Sequence, residues 1–171
     1  MNLRILLMTG ALIASASMAA AQAPTSIGAF KAWNAYVSTD GGAKTCFAAS
    51  QPQSSKYSRT VSSRGDTFFM ITTIPSKSIS NEASTIIGFP FKAGSDVTAT
   101  VDGTDFKMFF NDGAGETSWA VPDQEAALIE AMKKGTRMSV ASTSSRGTSV
   151  TDFYSLSGVT AALDAVAKEC Q

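Results

Sequence analysis

Histidine is missing from all 171 residues. Its absence excludes a Ser-His-Asp triad, a Cys-His pair and any imidazole general base. A zinc site, which wants about four ligands, is left short of donors. Cysteine is almost as scarce, with only Cys46 and Cys170 present. Charge is thin at 16% of residues, and basic and acidic side chains are equal in number at 14 each. No basic run gives the footprint of a nucleic-acid or anionic-membrane binder. Neither G-x-x-x-x-G-K-[ST] nor G-x-G-x-x-G follows a strand pattern, so no phosphate-cradling loop is indicated. After the first 21 residues no apolar run approaches the ~20 residues needed to span a bilayer.

Those first residues read as an export leader. Arg4 supplies the positive start, "ILLMTGALIASA" a short apolar stretch, and Ala19-Ala20-Ala21 the small residues before a cut at Gln22. The remaining 150 residues, 22–171, suit one domain with a core of its own. Losing Arg4 with the leader leaves 13 basic against 14 acidic side chains, a net charge of −1. An exported chain meets an oxidising compartment, and an even pair of cysteines there reads as a disulfide, Cys46 to Cys170. The expected place is the periplasm, with surface association or secretion as alternatives.

The pattern along the chain is that of strands. In "GSDVTATVDGTDFKMFFND", Val97, Ala99 and Val101 alternate with polar residues, Asp102-Gly103 marks a two-residue turn, and Phe106, Met108 and Phe110 alternate after it. That register pairs Val101 with Thr104, Ala99 with Phe106 and Val97 with Met108 on one face, with Thr98 and Lys107 on the other. Further strands are expected over 44–50, 57–62, 67–74, 84–91, 116–121, 136–142 and 149–156. The run "TFFMITTI" is apolar on both faces and belongs in the middle of a sheet. Two helices are expected, over about 122–134 and 158–169. The first carries acids at its start, Lys133 and Lys134 at its end, and a stripe of Ala127, Leu128, Ala131 and Met132. The second starts from Ser157 and turns Val159, Leu163, Val166 and Cys170 to one side. The fold class is thus mainly β: a single antiparallel β-sandwich or open β-barrel of about seven to nine strands, with two short helices.

No catalytic, cofactor-binding or metal-binding residues stand out. Asp102, Asp105, Asp112 and Glu116 are close in sequence, but Asp102 and Asp112 precede glycine, where Asp supports its own backbone in a turn. "NDGAGE" lacks the alternating acids of a calcium loop and reads as a hairpin connection. Trp33 and Trp119 read as packing residues. Phe109 falls on the wet face of its hairpin and calls for cover by the second helix, a packed sheet or a binding partner, with cover from within the chain expected first. Arg64-Gly65-Asp66 spells an adhesion tripeptide. Yet "SSRGD" at 62–66 has a near twin in "SSRGT" at 144–148, and each lies between two strand patterns. Both read as hairpin loops with glycine in a left-handed position.

Trp33 ahead of "KTCFAAS", then "GFPF", "LIEAMKKGTRMSV" and "DFYSLSGVTAALDAV" follow one another in an order and spacing that resembles the invasion-associated locus B family of exported proteins from alphaproteobacteria. The resemblance implies a β-rich periplasmic or surface-associated protein, linked by the family's name to host-cell invasion. It brings no catalytic residues or cofactor. Family members often carry a cysteine soon after the N-terminal tryptophan and a further pair in mid-domain; "WNAYVST" and "NDGAGETSWAV" have none, so the cross-link here must differ. The expected function is a non-enzymatic binding or envelope role toward an unknown protein or envelope component, not nucleic acid. The alternative is a secreted or surface host-contact factor, and a carboxylate enzyme is third.

Overall fold

The computed structural model describes residues 23–111 and 115–171. The expected leader and its cut at Gln22 fall outside these residues, as does the middle of "NDGAGE". One antiparallel sheet of eleven strands carries the fold. In chain order they are β1 (Thr25–Phe30), β2 (Trp33–Asp40), β3 (Ala43–Ser50), β4 (Ser54–Tyr57), β5 (Phe68–Ile74), β6 (Ile79–Ile86), β7 (Val97–Val101), β8 (Thr104–Phe109), β9 (Thr117–Ala120), β10 (Arg137–Thr143) and β11 (Ser149–Ser155). Helix α1 spans Pro122–Lys134 and α2 spans Val159–Glu169. The lateral order is β1-β2-β3-β5-β6-β9-β8-β7-β10-β11-β4.

Inward-facing side chains of distant strands touch, so the sheet curls into an open barrel. Phe69 of β5 meets Tyr154 of β11 edge-on at 6.0 Å. The indole N–H of Trp33, in β2, donates to the Ser155 carbonyl of β11 at 3.0 Å and spans the seam. Trp33 is completely buried. Its neighbours in the core include Ile71, Val140, Leu128 and Met132.

The two helices cover one end of the barrel. α1 enters with Pro122 at its first position, which needs no N–H there. Its buried residues are Leu128, Ile129 and Met132; Ile129 replaces the expected Ala127, which faces solvent. α2 buries Val159, Ala162, Leu163 and Val166. Its N-cap is Gly158 and not Ser157, at φ 97°. The Phe30 carbonyl lies 1.9 Å from where a Cβ would sit on Gly158. The close packing of the β1–β2 turn under α2 therefore excludes a side chain there. Cys170, at the end of α2, is bonded to Cys46 on the inner face of β3, with Cα atoms 6.0 Å apart. The final helix is thereby stapled to the sheet.

The hairpin of β7 and β8 has the expected register, Val101 opposite Thr104, Ala99 opposite Phe106 and Val97 opposite Met108. Both turn residues have positive φ, 44° at Asp102 and 93° at Gly103, as a type I′ turn requires. Asp102 does more than steady its own turn: its carboxylate accepts the N–H groups of Thr136, at 2.7 Å, and Arg137, at 3.1 Å. That ties the hairpin tip to the start of β10.

Several expectations need correction. The strand expected at 57–62 exists only as β4, which ends at Tyr57. β1 and β2 were not foreseen as strands. β5 is central in the sheet, but only its inner residues Phe69 and Ile71 are fully buried; Phe68, Met70 and Ile74 are half-buried outside. Phe109 is 41% exposed. It lies on the outer face beside Trp119, ring centroids 6.1 Å apart. Among the described residues no helix or sheet covers it.

Candidate functional site

The barrel end opposite the helices is built differently. Its inner face carries hydroxyls, with Ser50, Thr85, Ser118 and Ser142 all buried. Residues 58–67 cross this end as a strap from β4, at one edge of the sheet, to β5, fourth from the other. The strap is nearly free of backbone pairing. Ser58 N–H donates to Ser149 O at 3.0 Å, and Gly65 N–H to Gly88 O at 3.1 Å.

Its anchor is Arg64. The guanidinium donates through Nη1 and Nη2 to the two carboxylate oxygens of Asp152, at 2.7 and 2.6 Å. Nε donates to the Ile87 carbonyl at 2.6 Å. Nη1 also lies 3.2 Å from both the Ser55 and the Tyr57 hydroxyl oxygens. The cation sits against two rings, 5.1 Å from the centroid of Phe89 and 5.7 Å from that of Tyr57. The Arg64 side chain is 10% exposed and that of Asp152 is wholly buried. Ser55 Oγ supplies a further donor to Asp152 at 2.6 Å. A planar fork matched to a carboxylate explains why Arg, and not Lys, stands here. Burial opposes the Arg64 charge, but hydrogen bonding to Asp152 and Tyr57 and the Asp152 charge outweigh it, so its pKa is raised. Nearby, burial and then the Asp152 charge push the Tyr154 hydroxyl up, and it stays protonated. Among the described residues that hydroxyl and Ser142 Oγ have no well-formed hydrogen bond; the Thr85 hydroxyl near Tyr154 donates to Phe68 O at 3.0 Å.

The twin sequences meet opposite fates. "SSRGT" closes a true hairpin between β10 and β11, with Ser144 N–H donating to Thr148 O at 2.9 Å and Gly147 at φ 76°. "SSRGD" does not close a hairpin, because β4 and β5 are not neighbours. Gly65 is absent from the left-handed glycines. The residue needing that freedom is its contact Gly88, at φ 68°, where an added Cβ would meet the Gly65 carbonyl at 2.4 Å. Arg64 is thus consumed inside the molecule, while Asp66 remains exposed. Sequence reasoning missed Asp152 and Gly88. Asp152 had a signal: in "SVTDFYSL" it shares the inward phase with Val150 and Tyr154, and an acid there demands a cation.

Between the strap, the Gly88–Pro90 turn and the β10–β11 loop lies a cleft of about 540 Å³. Arg59, Arg64 and Arg146 line it together with serine and threonine hydroxyls, and the Glu116 carboxylate lies behind its wall at Gly65. Of the carboxylates considered from sequence, Asp112 lies outside the described residues; Asp102 holds the β10 start, Asp105 accepts from Thr100 at 2.7 Å, and Glu116 lies beside Gly65. Among the described residues no three His, Cys, Asp or Glu side chains could hold a metal, and no helix is long and apolar enough to cross a membrane.

A family model for the Invasion associated locus B (IalB) protein matches residues 33–167. The chain belongs to the invasion-associated locus B family. That match takes in every element from β2 to nearly the end of α2, including the strap and its cleft. A similar solved structure is invasion associated protein B from Bartonella henselae, with a TM-score of 0.56, 13% identity, and coverage of 86% of this chain and 99% of that one. At that identity the likeness is one of fold. None of the curated protein sequences compared matches this chain. This family member binds its last helix to the sheet through Cys46 and Cys170.

Proposed function

We propose that this invasion-associated locus B protein is an exported, non-enzymatic component of the cell envelope that binds a polar partner in the strap cleft. The observation that carries the reading is the cleft itself: a preformed hollow walled by hydroxyls and arginines. A cleft of this size is in the usual range for ligand sites. A binding role suits its chemistry better than catalysis. The buried carboxylate, Asp152, is committed to Arg64 and Ser55, and both thiols are spent in the disulfide. A leader-like start and a disulfide support export.

Cross-linking from inside the cleft tests this. A photoreactive residue replaces Ser145 at the rim, and another replaces exposed Lys168 on α2 as the control. An envelope component captured from Ser145 and not from Lys168 is the expected result. Equal capture from both, or mature protein found only in the cytoplasm, overturns the proposal.

Host contact is the second reading, and the family supports it by name. Integrin recognition through Arg64-Gly65-Asp66 is disfavoured, because the Arg64 guanidinium is already bound to Asp152. An Asp66→Glu variant should match wild type in adhesion to integrin-bearing cells. Wild-type adhesion that this change abolishes, and that a soluble Arg-Gly-Asp peptide blocks, would reverse the ranking.

A further inference from the structure

We propose that the strap cleft takes an acidic saccharide, a sugar chain bearing carboxylate or phosphate groups. This rests on the cleft being a binding site and adds the class of its ligand. Charge is the first argument. Arg64 is neutralised by Asp152, which leaves Arg59 and Arg146 as the local surplus. Among the described residues these two arginines have no ion-pair partner, and the carboxylate beside the cleft wall is that of Glu116, against Gly65; the balance is a local anion preference. Arg59 is held in place. Arg59 Nη2 donates to the Gly147 carbonyl at 3.1 Å, which fixes the strap guanidinium beside the loop that carries Arg146. Planar forks of this kind suit both carboxylate and phosphate.

The rest of the lining suits a sugar better than a bare anion. Ser62, Ser63 and Ser145 offer hydroxyls that donate and accept. Phe89 and Pro90 give an apolar surface on which a sugar ring can lie. The volume, about 540 Å³, far exceeds the needs of an inorganic ion. The walls are also held before any ligand arrives. Arg64 anchors the strap, Gly65 is bonded to Gly88, and Ser145 N–H donates to Pro90 O at 2.7 Å. A preformed site loses little entropy on binding.

The test is titration calorimetry on the mature chain, residues 22–171. The probes are oligogalacturonate as the carboxylate arm, a phosphomannan oligosaccharide as the phosphate arm, dextran as the neutral sugar, and inorganic phosphate. Binding of one or both acidic sugars, weakened by salt, with dextran silent, is the expected result; which arm binds names the anion. An Arg59→Ala, Arg146→Ala double variant should weaken that binding at least about tenfold, the loss of one or more charge-assisted hydrogen bonds. Its melting temperature should be unchanged, while Arg137→Ala at the far end of the barrel should bind as wild type. Equal binding of dextran, response to inorganic phosphate alone, or wild-type affinity in the double variant overturns the proposal. Capture of an envelope component from Ser145 with no acidic sugar bound sinks the ligand class and leaves the cleft standing; failure of both experiments sinks both.

Discussion

Replacing Arg64 with alanine should unfold the strap and cost about 4 kcal/mol of stability. The reckoning starts from what the substitution leaves behind. Asp152 stays wholly buried and keeps only the Ser55 hydroxyl, at 2.6 Å, of its side-chain donors. The Ile87 carbonyl loses its 2.6 Å donor as well. Removing one partner of a buried pair costs roughly 3–5 kcal/mol, because the remaining charge is uncompensated. Arg64→Lys keeps the charge but not the fork, and should cost about half as much. Arg64→Met with Asp152→Leu removes both charges and should recover most of the loss, since a buried pair contributes little against apolar packing. Urea unfolding followed by the fluorescence of Trp33, completely buried in the native state, measures all four proteins. Amide exchange at Gly65, whose N–H is bonded to Gly88 O, reports the strap separately. A cost below about 1 kcal/mol for Arg64→Ala, the value of a surface pair, would refute the reasoning. Unchanged Gly65 protection in a destabilised variant would show that Arg64 serves Asp152 without anchoring the strap.

Three further outcomes are expected. Cys170→Ser should lower stability by about 2–5 kcal/mol, since the bond closes a separation of 124 residues; an unchanged urea midpoint would show that α2 holds without its staple. Gly158→Ala must move the Phe30 carbonyl, 1.9 Å from the new Cβ, and leave φ 97°; a thermal midpoint within a degree or so of wild type would contradict that packing. Burial, partly offset by the Ala83 N–H and reinforced by Glu82, raises the Glu125 pKa above its ordinary value. A raised carboxylate favours the folded state below its unfolded pKa, and this stability is lost as pH rises through the folded value. Glu125→Gln keeps an acceptor for Ala83, 2.8 Å away, and should flatten that decline as pH rises above the ordinary glutamate range; an identical pH profile would disprove the assignment.

The parts of the fold legible in sequence were those where one local rule acted alone. Strict alternation around Asp102-Gly103 set the β7–β8 register, and helical spacing turned Val159, Leu163, Val166 and Cys170 inward. β1 and β2 were hidden because their inward residues include Gly28 and Ala35, while Tyr36 adorns the outer face and stacks on Phe47 at 5.2 Å. Their turn also uses Lys31 at φ 56° without a glycine signal. The strap was misread because Thr60 and Val61 look strand-like while the chain there has left the sheet. The disulfide was readable from the expectation of export and from the helix phase. The cleft was not, since it is assembled from three loops that only the lateral strand order brings together.

That strand order also governs how the chain must acquire its structure. β4 follows β3 directly, yet its partner is β11, and the Ser55–Asp152 contact bridges 97 positions. A growing chain that stops short of Ser149 therefore leaves β4 with no strand to join, Arg64 with no counter-charge and Cys46 with no second thiol. The sheet from β1 to β10 can pair before the last segment arrives, but its β11–β4 edge cannot. Such distant pairings make folding slow and leave edges open to misassociation while it proceeds. The last strand and helix of the polypeptide decide whether β4 and the strap that follows it have a place in the fold at all.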